Sequence, residues 1–181
     1  KEYAKNHDLI VIHGAEITRD LPPGHSNALF IQDANQLVHD DYMDAFLEAK
    51  KQGAFIFWNH PNWVGQNKQG ITKLSPIHET LIKEGLLHGV EVTNENTFAD
   101  QALTIANENE LTILGTSDIH ELIDWLFDIP GGGHRPVTLV FVKERSEIGV
   151  KDALFDGRTV AWYKNSLIGQ EKYLIPLIES S

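Results

Sequence analysis

The sequence predicts an α/β fold built on a mainly parallel sheet or a βα barrel. Three observations carry that expectation. Strand-like apolar runs alternate with helix-like stretches over most of the 181 residues. Side chains able to coordinate metal recur where the apolar runs end. The chain has the size of one domain, and its 41% hydrophobic and 23% charged content is ordinary for a globular protein.

The opening KEYAKNHDLIVIHG reads as the end of a helix followed by a strand, so the chain is taken as a fragment rather than a natural start. LIVIHG at 9–14 and NALFI at 27–31 are the first two strands. DDYMDAFLEAKKQG sets Met43, Phe46, Leu47 and Lys50 at helical spacing and stops on Gly53. AFIFW at 54–58 is a buried strand. SPIHETLIKEG carries Ser75 and Pro76 in cap and first-turn positions and closes on Gly85, giving a helix before the strand HGVEVT at 88–93. A helix over 97–109 and the strand LTILG at 111–115 follow, and IHELIDWLF is helical or irregular. Three successive glycines in IPGGGHRP at 129–136 favour a mobile surface loop. PVTLVFV at 136–142, a helix near 146–156, RTVAWY at 158–163 and an amphipathic helix EKYLIPLIE complete the pattern.

A net charge of −11 and a pI near 5.2 repel polyanions at long range, which argues against generic nucleic-acid binding through a basic face. No apolar run approaches the roughly 20 residues that span a bilayer. The protein is expected to be soluble, with a cytoplasmic or a periplasmic location equally compatible. There are no cysteines, so any metal must be held by His, Asp and Glu.

Those residue types gather at strand ends, the face on which βα barrels build active sites. GTSDIH at 115–120 is the sharpest segment, because Asp118 and His120 leave an extended chain on the same side. The competing reading is a helix cap by Ser117 or Asp118. In NHPNW, Pro61 holds His60 extended and aims its imidazole off the strand end; the alternative is a proline turn with an incidental histidine. Trp63 reads as packing. GAEITRDLPPGHSN supplies Glu16, able to bridge two metals, and His25. Arg19 could contact an anionic substrate, or simply form a surface salt bridge. Glu91 could orient a ligand from behind. His134 could reach the site from the glycine loop, or be a plain loop histidine. His7, His13, His39, His78 and His88 read as surface or structural.

Taken in order, GAEIT, PPGHSN, NHPNW, HGVEVTN and GTSDIH resemble the polymerase and histidinol phosphatase (PHP) family over residues 9–163. The resemblance implies a distorted (β/α)7 TIM-like barrel that binds two or three divalent ions, with zinc, manganese and iron all compatible with the ligands. It implies Glu16 as bridging ligand, His25 and His60 as imidazole ligands, and Asp118 with His120 as the closing pair. Glu16, Asp118 and His120 are also the expected catalytic residues. The family pattern begins with an HxH pair, an Asp and a further His, none of which stands upstream of GAEIT. The barrel is therefore expected to lack its first strands. Residues 1–163 would form an N-terminally incomplete phosphoesterase domain, and 164–181 a C-terminal helix or the start of a linker to a further domain. The implied reaction is hydrolysis of a phosphoester by metal-activated water, on a small phosphorylated substrate or nucleotide. An amidohydrolase-type metallohydrolase, or a catalytically inactive PHP-like domain that binds a metal or partner, are the competing readings. Oligomeric state stays open.

Overall fold

Two sheets organise the chain, which the computed structural model describes from residue 2 to residue 180. The first holds β1 (Gly14–Ile17), β2 (Ser26–Leu29), β3 (Phe55–Trp58), β4 (Gly89–Asn94), β5 (Thr97–Phe98) and β6 (Thr112–Thr116). β1, β2 and β3 pair antiparallel, whereas β3, β4 and β6 pair in parallel. The second is an antiparallel meander of β7 (Val137–Val140), β8 (Thr159–Tyr163) and β9 (Ser166–Gly169). The helices are α1 (Glu2–Lys5), α2 (Tyr42–Lys51), α3 (Pro76–Lys83), α4 (Asp100–Glu108), α5 (Ile123–Phe127), α6 (Glu147–Phe155) and α7 (Glu171–Glu179). The α/β class holds. The parallel set is confined to three strands, and the pairings among the described residues form two open sheets.

Local chemistry explains the helices. Asp41 caps α2 by accepting from the Met43 amide, and Ser75 with His78 closes a capping box on α3 whose first residue is Pro76. The buried stripe of α2 runs through Ala45, Phe46 and Ala49, while Leu47 is 49% exposed, so the expected apolar face is rotated. Phe46, Leu81, Ala102 and Ile105 cover Ile56, Trp58, Val90, Val92 and Ile113 of the parallel strands, in one core. Each such large side chain contributes about 1.5–3 kcal/mol when fully buried. The two sheets are stitched together at β6. Gly115 N donates to Thr138 Oγ1, which donates back to Gly115 O, both at 2.9 Å. Thr159 Oγ1 donates to Ile113 O at 2.7 Å.

Several expected boundaries move. Leu9–Ile12 forms no strand; Leu9 and Val11 are 57% and 46% exposed, and pairing starts only at Gly14. Glu16 consequently sits inside β1 rather than after it. β2 stops at Leu29 because Phe30 adopts a φ of 67°. Residues 97–98 pair back onto β4 as β5, so the next helix begins at Asp100 rather than 97. The segment 164–181 contains the unexpected strand β9 before its helix, and no side chain of α7 is fully buried. Among the described residues no helix is long and apolar enough to cross a membrane.

Candidate metal centre

The sheet register brings the chemistry to one edge. Ile17 pairs with Ser26, and Ser26 with Trp58, so the end of β1, the start of β2 and the end of β3 lie side by side. Glu16, His25 and His60 issue from those three points. The parallel strands β4 and β6 end next to them, delivering Glu95, Asp118 and His120. Together these six side chains line a cavity of about 200 Å³, with Asn94 and Trp63 completing its wall.

Two groups of donors face this space. In Glu16, His25 and His60, and again in Glu95, Asp118 and His120, one ligand atom from each residue lies within 4.8 Å of the others. His25 Nδ1 is 3.0 Å from Glu16 Oε1, and Asn59 Nδ2 and Thr18 Oγ1 donate to the same carboxylate. His60 Nε2 and Asp118 Oδ2 stand 4.0 Å apart, which links the groups. The His60 ring meets His25 edge-on at 4.9 Å, and Trp63 packs against both.

Glu91 does not line the cavity but bonds to residues that do. Its side chain is buried, and Oε2 accepts from the His60 backbone amide at 2.6 Å and from Asn94 Nδ2 at 2.9 Å, while Oε1 accepts from Thr116 Oγ1 at 2.5 Å. Burial pushes its carboxyl up to about 7 against these bonds. Burial likewise holds His60 below the ordinary histidine value, favouring the neutral imidazole that a metal needs. His120 goes the other way, raised by its hydrogen bond to Asp118 O and by the Asp118 charge.

The donor set fits divalent cations. Neutral imidazoles and carboxylates suit zinc, manganese or iron. Buried His60 Nδ1 and Asn59 Oδ1 also have no hydrogen-bond partner among the described residues.

Glu16, His25, His60, Asp118 and His120 thus lie together around one cavity, and Glu91 accepts from the His60 backbone amide. Their conformations differ from expectation. His60 has a φ of 26° rather than an extended backbone, and Asp118, at 46°, is not extended either. The helix-cap reading of GTSDIH fails, since the next helix starts at Ile123 with Leu122 as its cap residue. Arg19 lies outside the cavity wall: its guanidinium donates to the backbone carbonyls of Thr18 and His39. His134 lines a different cavity, with Nε2 2.8 Å from Lys164 O. Trp63 is 48% exposed and lines the site as well as packing. Glu95 was missed. It follows directly on HGVEVTN, but one carboxylate in a polar turn carries no distinguishing signal.

No protein-family model matches the chain, and no curated protein sequence matches it. Among solved structures, a two-domain protein from Bacteroides vulgatus containing a predicted PHP-like metal-dependent phosphoesterase is 47% identical, with a TM-score of 0.95. The match covers 98% of this chain and 52% of that one, so the chain spans about half the length of that relative. A protein from Bifidobacterium adolescentis assigned as a metal-dependent phosphoesterase is 17% identical, with a TM-score of 0.49 over 66% of this chain and 71% of its own. Over almost its whole length, in sequence and in fold, the chain is similar to part of a protein that contains a predicted PHP-like metal-dependent phosphoesterase.

Proposed function

We propose that this chain carries the greater part of a centre that hydrolyses phosphoesters with the aid of two divalent cations. The observation behind this reading is the pair of donor groups facing one cavity, Glu16 with His25 and His60, and Glu95 with Asp118 and His120. The 47% identity to a protein containing a PHP-like phosphoesterase supports it.

Each residue has a part that follows from its surroundings. Glu16, with Thr18 and Asn59 donating to its oxygens, is held in place to be shared between the two groups. His60 offers a neutral ring, steadied at its backbone by Glu91. Asp118 stands between His60 and His120. Bound cations would supply Lewis acidity and a water of lowered pKa. His120 lines this cavity and His134 another, so of the two only His120 is placed to hold a cation here. Residues 1–163 are assigned to this phosphoesterase unit, arranged as part of a distorted barrel.

The test is chelator-sensitive release of phosphate from 4-nitrophenyl phosphate, with bound metal counted by elemental analysis. Two equivalents of metal, and loss of turnover in Glu16→Ala and Asp118→Ala without a change of fold, are expected. Full turnover in either variant, or in chelator-treated protein, would refute the assignment.

A further inference from the structure

The first cavity, lined by the candidate metal ligands, is at about 200 Å³ small for a whole substrate, since pockets that enclose drug-sized ligands run from about 300 to 1,000 Å³. A second cavity of about 460 Å³ opens beside it. Consecutive residues line the two. Glu95 lines the first and Asn96 the second, and adjacent residues lie only about 3.8 Å apart at Cα. The segment from Asp118 to Asp128 likewise runs from one cavity to the other.

The second cavity is built rather than incidental. Its wall is fixed by three bonds: His134 Nε2 and Trp162 Nε1 both lie within 2.9 Å of Lys164 O, and Tyr163 Oη donates to Asn96 O at 2.5 Å. The His134 and Trp162 rings pack at 4.8 Å. Trp125 on α5, 72% exposed, also lines the cavity. An exposed indole is a ready stacking platform for a ring. Around it, Asp124 and Asp128 outnumber the cation Lys164. A wall with that balance repels a second phosphoryl group, and its carboxylates and the Asn96 amide are suited to hydroxyl donors.

We infer that this second cavity receives the alcohol half of the substrate, a neutral ring bearing several hydroxyls, stacked on Trp125 while the phosphoryl group enters the first cavity. The inference rests on the phosphoesterase reading for its chemistry, but the ring site can be tested without turnover. A sugar and the ribose of a nucleoside both offer this chemistry, and the probes below separate them.

Metal-free protein is titrated with methyl glucoside and with adenosine, neither of which carries phosphate, and binding is followed by ligand-observed NMR. At least one is expected to bind, and Trp125→Ala weakens that binding by roughly tenfold while Trp125→Phe preserves it. In the metal-loaded protein the same Trp125→Ala change raises KM for the matching phosphoester, glucose 6-phosphate or adenosine monophosphate, by more than it raises KM for acetyl phosphate. Binding of neither probe at millimolar concentration, or binding indifferent to Trp125→Ala, overturns the inference. Trp125-dependent binding with no phosphate released from any ester upholds the ring site and removes the phosphoesterase reading.

Discussion

Burial disfavours a charged imidazole. It pulls His60, His78 and His88 below the ordinary value of 6.5. The same effect lifts Glu91 from 4.5 to about 7. The two sets act on folding with opposite sign. The unfolded chain holds more protons on the three histidines, so their contribution is complete above 6.5 and is lost as pH falls through the folded values. Glu91 holds its proton more tightly when folded, so its contribution is present below 4.5 and is lost as pH rises through about 7. In chelator-treated protein, Glu91→Gln removes only the second effect. The denaturant midpoint of the variant should then fall more steeply than that of the parent between about pH 7 and pH 5; equal slopes would contradict this account. His78 offers a second check. Its Nε2 lies 2.8 Å from Pro23 O, its Nδ1 accepts from the Ser75 amide, and Trp58 stacks on it at 3.9 Å, which fixes the loop that carries His25. His78→Leu strands the Pro23 carbonyl, costs about 1–3 kcal/mol and should weaken metal binding roughly 10-fold or more, read by competition with a chromophoric chelator. At this scale the sequence was informative about identity and less so about shape. His60 and Asp118 were readable because they follow strands. Their positive φ was not, because nothing in a His-Pro or Ser-Asp pair announces a conformation that side chains disfavour.

Where β6 passes between the two sheets, space decides the outcome. A methyl group on Gly115 would meet Thr93 Oγ1 at 2.6 Å and Ala161 Cβ at 3.0 Å. Gly115→Ala should therefore cost about 1–3 kcal/mol by overpacking and displace Asp118, three residues on, so that metal affinity falls with stability. Thr138→Val leaves the spacing intact but removes both bonds to Gly115, and should cost about 1–2 kcal/mol. Urea unfolding of the two variants tests both estimates; a neutral Gly115→Ala would mean the strand can shift freely. The helices were legible because their ends are chemically marked, by Asp41 on α2 and by Ser75 and Pro76 on α3. Strand limits were not. Leu9–Ile12 has the composition of a strand, but a strand forms only where a neighbour supplies partners, and local sequence does not report the neighbour. β9 follows a two-residue Lys164-Asn165 turn that lacks the glycine by which such hairpins are usually recognised.

For the molecule as a whole, a charge of −11 is held in one chain with several carboxylates converging on a single cavity. Cations that bind the folded chain alone stabilise it by mass action, by about 2.7 kcal/mol when their free concentration is 100 times Kd. Saturating manganese or zinc should raise the thermal midpoint, and Glu16→Ala should abolish most of the rise; a midpoint indifferent to every divalent ion would remove the metal reading. The cavity also exacts something from the fold. His60, Glu95 and Asp118 carry φ values of 26°, 46° and 46°, in a region that costs of order 1–3 kcal/mol for a residue with a side chain. Glycine or asparagine would relieve much of that cost at each position. Were selection for chemistry relaxed, drift would therefore be drawn first to residues 60, 95 and 118, leaving a sturdier protein with half of its candidate metal donors gone.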